Sequence, residues 1–118
     1  MAKQRNTPGN GTATVNLIAD SFSVPIDPQV TNLQLWNVLL ASLQIVDVVG
    51  SLKNDSYPHG FSGVVLLLDG HIALQYGVES NNGSAAGQLD ILICTNGGPV
   101  LQQRLRTDLL DAFSDLLP

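Results

Sequence analysis

The stretch LLLDGHIALQYG, residues 66–77, sets an Asp-Gly pair between two apolar runs. Asp-Gly in that setting is a hairpin signal. A two-residue type I′ turn needs positive φ at both central positions, which Asp and Gly tolerate. SGVVLLL, 62–68, is therefore predicted as one strand and HIALQYG, 71–77, as its antiparallel partner. Four polar side chains attend the turn: Asp69, His71, Gln75 and Tyr76. A turn aspartate is ordinarily only a turn residue, so the four are either the wet side of a hairpin or the rim of a site.

Working outward, TATVNLIADSFSV (12–24) alternates Val15, Leu17 and Ala19 against Thr14, Asn16 and Ile18, an imperfect strand pattern ended by Pro25 and Pro28. TNLQLWNVLLASLQ (31–44) carries Leu35, Trp36, Leu39, Leu40 and Leu43 at helical spacing, with Thr31 or Asn32 as its cap. IVDVVGSL (45–52) is short and β-branched, a strand. KNDSYPHG (53–60) and VESNNGSAAGQ (78–88) read as loops, LDILIC (89–94) as a strand and TNGGP (95–99) as a glycine turn. VLQQRLRTDLLDAFSDLL (100–117) puts Leu101, Leu105, Leu109, Ala112, Phe113 and Leu116 on one helical face, and Pro99 suits its opening. The order β-α-β-β-β-β-α predicts a two-layer α/β sandwich, a mostly antiparallel sheet with two helices on one side. Residues 1–11, polar and with Pro8, Gly9 and Gly11, read as a loose arm before one domain, 12–118.

The 118 residues allow one domain with a real core. Only 13% are charged and the formal charge is −5, with Lys3, Arg5, Lys53, Arg104 and Arg106 the whole basic complement. Such a chain cannot neutralise many phosphates, which argues against nucleic acid. No apolar run approaches twenty residues and the start lacks a hydrophobic signal segment, so neither a membrane span nor export is expected. The lone Cys94 cannot form an internal disulfide and fits a reducing compartment; the expected location is cytoplasmic. Strands 62–68 and 89–94 are nearly continuously apolar. Two helices cannot cover both faces of such a sheet, so a homo-oligomer, most simply a dimer, is expected.

His59 and His71 are the only histidines. Their spacing matches no zinc or iron signature, so no metal is expected. GSAAG (83–87) lacks the strand-to-helix setting of a dinucleotide fingerprint. Cys94 at a strand end is more often packing than chemistry, and Ser62, Ser80 and Ser84 have no evident His-carboxylate team.

YPHGFSGVVLLLDGHIALQYG (57–77), followed by GQLDILICTNGG (87–98), resembles the centre of the bacterial and archaeal S-adenosylmethionine decarboxylases, the pyruvoyl-dependent kind. Pro58, Gly60, Ser62, Gly63, Val64, Val65, His71, Asp90, Cys94 and Gly97 fall into that pattern. The resemblance implies a fold of that kind over residues 12–118 and a catalytic set of Asp69, Cys94, Ser62 and His71. Ser62 matches a serine that assists processing, and Cys94 a cysteine linked to proton donation. Family members cleave themselves between Glu and Ser, and the serine becomes the pyruvoyl electron sink. This chain has Asp69 and Gly70 there. Glycine has no hydroxyl for the acyl shift, so no pyruvoyl cofactor is expected. Gln75 stands where the family has a second catalytic histidine and is neither acid nor base near neutral pH. The chain also ends at Pro118 without the final strand many relatives carry.

Three functions follow from the resemblance. The first is a protein that binds S-adenosylmethionine or a related nucleoside and breaks it at sulfur, as a lyase or hydrolase. Tyr57, Phe61, Gln75, Glu79, Asp90 and Asn96 are its candidate ligand contacts, Phe61 and Tyr57 for stacking on adenine, and Asp69 rather than His71 is its expected reactive residue. The second is a non-catalytic partner of an active paralogue in spermidine biosynthesis. The third, least favoured by Gly70, is true decarboxylation.

Overall fold

The computed structural model describes residues 18–50 and 59–118. The expected arm (1–11), Tyr57 and most of the 53–60 loop lie outside the described residues. Within them the chain runs β1 (Ile18–Ile26), α1 (Asn32–Ser42), β2 (Asp47–Gly50), β3 (Phe61–Leu67), β4 (Gly70–Asn81), β5 (Ser84–Thr95) and α2 (Pro99–Ala112), closed by a 3-10 turn over Phe113–Leu116. The strands form one sheet in the order β1-β5-β4-β3-β2, every neighbour antiparallel. Both helices pack on one side. This is the expected two-layer α/β arrangement.

Strand parity decides what is buried. Leu89, Ile91 and Ile93 on β5, Ile72, Leu74 and Tyr76 on β4, Phe61 and Val65 on β3, and Val24 and Ile26 on β1 all turn toward the helices. Leu35, Trp36 and Leu39 on α1 and Leu109 on α2 meet them, with Phe113 just beyond. Each such large apolar side chain contributes roughly 1.5–3 kcal/mol of burial. Leu40, expected in the α1 stripe, is half exposed instead. Thr31 starts α1 with a reciprocal capping box: its hydroxyl accepts from the Gln34 N–H, and the Gln34 side chain accepts from the Thr31 N–H. The register of α2 is fixed by a buried amide. Gln102 accepts from the Thr95 hydroxyl at 2.7 Å and donates to the Ile93 carbonyl at 3.0 Å.

Three expectations are corrected. Residues 78–88 are not a loop: β4 and β5 continue through them to a tight turn at Asn82-Gly83, with φ of 53° and 82°. Asn-Gly is the residue pair a primed hairpin turn demands. Conversely, neither Asp69 nor Gly70 has positive φ, so the expected type I′ turn is absent. The turn residues are Leu68 and Asp69, and Gly70 already pairs with Leu67 and Thr95. Lastly, β1 does not stop at Pro25. It runs on to Ile26, because an edge strand tolerates a residue with no N–H to donate. Its even-numbered residues face the helices, so Ala19 lies outside.

β1 is tied to α2 by Arg106. Its Nη1 meets the two Asp20 carboxylate oxygens at 2.9 and 2.7 Å, and its guanidinium lies 4.4 Å from the Phe22 ring centre. Both side chains are about one-third exposed. Arg106→Ala should therefore cost only about 1 kcal/mol. Urea unfolding tests this, and Arg106→Lys should restore part of the loss.

Candidate functional site

Everything with the opposite parity faces away from the helices, and there the candidate residues gather. Ser62 on β3 pairs with Gln75 on β4, Gln75 with Asp90 on β5, and Asp90 with Ser23 on β1, so the four form one row across the open sheet face. A second row, Leu66, His71, Cys94 and Ala19, crosses nearer the β3–β4 turn. The two rows are four residues apart along β4, about 13 Å. Between them lie Val64, Ala73 and Leu92, an apolar floor. A shallow cavity of about 480 Å³ covers this floor and reaches Ser62, Gln75 and Asp90. A smaller one of about 230 Å³ adjoins it, sharing Gln75 and Asp90 and reaching Glu79.

Asp90, exposed on this face, is positioned by two hydrogen bonds. Its Oδ1 accepts from the Ser23 hydroxyl at 2.6 Å and from the Gln88 amide at 2.7 Å. Those bonds, Ser23 first and Gln88 second, hold its carboxyl below the usual aspartate range. Its Oδ2 accepts nothing among the described residues. The described cations, Arg104 and Arg106, are both on α2, in the other layer. The open face therefore carries Asp90 and Glu79 with no described cation beside them.

The remaining candidates are placed elsewhere. Phe61 is buried on the helix side against Tyr76, with ring centres 5.9 Å apart, so it is not on the face that holds Gln75 and Asp90. Tyr76 also points inward. Its hydroxyl donates to the Val30 carbonyl at 2.7 Å, and burial, reinforced by Asp27, raises its pKa. Asp69 sits in the turn, joined to Asn96 by the Asn96 N–H donating to the Asp69 carbonyl at 3.0 Å. Its neighbours across a cleft are Arg104 and Asp108 on α2. Ser62, Gln75 and Asp90 are thus brought together, Glu79 lies on their face four residues along β4 from Gln75, His71 and Cys94 share the face at a like distance on the other side, and Asp69 and Asn96 form a separate group at the hairpin end. Among the described residues no three of His, Cys, Asp or Glu come close enough to hold a metal ion.

No family model, curated protein or solved structure matches this chain. Among the described residues no helix is long and apolar enough to cross a membrane.

A pyruvoyl group does not fit at position 70. Glycine supplies no hydroxyl, and any Cβ there would collide with the Cys94 carbonyl oxygen and lie 2.9 Å from the Thr95 Cα. Ser23 and Gln88, which fix Asp90, were not legible as site residues while 78–88 read as a loop. With β5 extended to Ser84, Gln88 is the same-face neighbour of Asp90, two residues away.

Proposed function

We propose that the open sheet face binds S-adenosylmethionine or a close nucleoside relative, on a decarboxylase-like fold that makes no pyruvoyl group, and that the bound sulfonium is cleaved at sulfur. Asp90 carries this reading. It is a positioned, ionised carboxylate with one oxygen unused, at the edge of an apolar floor long enough for a nucleoside. A cation with a flat apolar body satisfies both features at once.

The chemistry needs no covalent cofactor. The substrate's own carboxylate attacks its γ-carbon: the C–O bond forms as the C–S bond breaks, and sulfur keeps the electron pair. Neutral methylthioadenosine and a lactone result. The sheet's contribution is to hold the tail in the folded geometry this attack requires. Asp90 assists only if it holds the α-ammonium, whose charge survives the reaction. Pairing with the sulfonium would stabilise the ground state alone and slow the step.

The exposed apolar side chains of this face, Val49 and Leu92, favour a second subunit covering it. Five strands spaced ~4.8 Å apart, four residues long in β2 and seven or more in the others, present roughly 500 Å² per partner, at the ~1,000 Å² total of a specific interface. A second copy is the simplest occupant; an active decarboxylase paralogue, which this chain would regulate without catalysing, is the alternative. Light scattering should give twice the 12.5 kDa chain mass. Calorimetry with S-adenosylmethionine, followed by chromatography of the products, tests the rest. Methylthioadenosine supports cleavage at sulfur, carbon dioxide supports decarboxylation, and binding without turnover supports regulation. No binding at millimolar ligand sinks the proposal.

A further inference from the structure

On the helix side, at the end where β3 turns into β4, lies a separate cleft of about 470 Å³. That size is in the range of small-molecule sites. Three elements wall it: Leu43 just after α1, Leu68 and Asp69 in the β3–β4 turn, and Leu101, Arg104, Leu105 and Asp108 on α2. The four α2 residues have the spacing i, i+3, i+4, i+7 and so present a single helix face. Leu68, in the turn, is 83% exposed.

The charged side chains on this cleft, Asp69, Arg104 and Asp108, are solvent-exposed and pair with nothing among the described residues. Arg106 is engaged by Asp20, but Arg104 makes no hydrogen bond or ion pair among the described residues. The carboxylates of Asp69 and Asp108 likewise accept no hydrogen bond there. Arg104 and Asp108 are one helical turn apart, in the less favourable order for an ion pair. The cleft therefore offers one guanidinium fork, two carboxylates and a leucine wall. A plain anion would meet a rim of net negative charge. A plain cation would leave the guanidinium unused. An apolar neutral molecule would use none of the three charges.

We propose that this cleft binds an aliphatic α-amino acid. Its carboxylate takes the Arg104 fork, a planar bidentate match. Its ammonium lies between Asp69 and Asp108, and its side chain covers Leu68, Leu101 and Leu105. The site is independent of the open sheet face and stands whether or not that face binds a nucleoside.

Titration of the isotope-labelled full chain with L-leucine, followed by amide NMR, tests it. Saturable shifts should be confined to residues 42–44, 67–69 and 101–108. The two half-ligands, 4-methylpentanoate and isopentylamine, should each bind at least ~10-fold more weakly. Arg104→Gln should lose the leucine response while the rest of its spectrum superposes on wild type. Should Arg104→Gln fold poorly, Leu68→Ser, at an exposed position, must weaken leucine severalfold on its own. Absence of saturable shifts up to about 10 mM leucine, well below useful affinity, would overturn the proposal. So would isopentylamine binding as tightly as leucine, or a folded Arg104→Gln that still responds.

Discussion

Gly70→Ala and Gly70→Ser should each weaken the fold by roughly 3 kcal/mol, the upper end for overpacking. Gly70 opens β4 and is paired on both sides, with Leu67 on β3 and Thr95 on β5. The atoms a side chain would meet, the Cys94 carbonyl and the Thr95 Cα, are backbone. No rotamer change relieves such a contact. β4 must move off β5 next to the bond from Asn96 to the Asp69 carbonyl that closes this end. Gly70→Asn distinguishes this account from a turn-based one. If Gly70 served a left-handed turn, asparagine would be tolerated nearly as well as glycine. If it serves a close strand contact, asparagine costs at least as much as alanine. Urea denaturation of the three variants decides, and a nearly neutral Gly70→Asn would sink the contact argument. The wild-type chain, with no hydroxyl at this position, should remain a single 12.5 kDa polypeptide by intact mass.

This glycine also shows how far the sequence could be read. Asp-Gly announced the hairpin correctly, yet the turn is one residue earlier, and the glycine answers packing against a strand distant in sequence. Local turn chemistry is legible from neighbours; a close approach between strands is not. Asn82-Gly83 failed in the opposite sense. Its turn signal was present, but Glu79, Ser80, Ser84, Ala85 and Ala86 carry no apolar alternation, because that ribbon is exposed. Periodicity reports burial, so an exposed strand leaves little trace. Parity settled the candidate site. Beginning β3 at Ser62 made Phe61 a loop residue open to a ligand; beginning it at Phe61 sends that ring into the core while leaving Ser62 outside. The same parity gathers Ser62, Gln75 and Asp90 in one row, although 28 positions separate the first from the last. The helices were readable because their stripes are intrinsic, and Thr31 was readable as a cap. Ser23 and Gln88 as supports for Asp90 were not, since that relation exists only once β1 is laid beside β5.

Asp90→Asn should weaken S-adenosylmethionine at least ~10-fold, about 1.4 kcal/mol, while barely changing methylthioadenosine. The two ligands differ in the charged tail and sulfonium, and Asp90 is the positioned carboxylate of the open face. Its contribution should therefore vanish from the difference between them. A variant that weakens both alike would reduce Asp90 to a brace for Ser23 and Gln88. Asp69→Asn is the control, because Asp69 lines the cleft with Arg104 instead of the open face; it should leave S-adenosylmethionine affinity within about twofold, under half a kcal/mol. A larger loss at Asp69 than at Asp90 would return the site to the hairpin tip. If turnover occurs, Asp90→Asn should raise KM and spare kcat, since an ammonium keeps its charge through the reaction. The pH dependence has a definite sign. Hydrogen bonds from Ser23 and Gln88 place the folded pKa of Asp90 below its unfolded value. Its contribution to stability is then whole above the ordinary aspartate range, near 3.9, and is lost only as pH falls through the lower folded value. Cation binding should follow the same carboxylate, holding level from neutral pH down to the ordinary aspartate range and failing below it. A fall in affinity already complete near pH 6, well above the ordinary aspartate range, would overturn the assignment of the binding charge to Asp90.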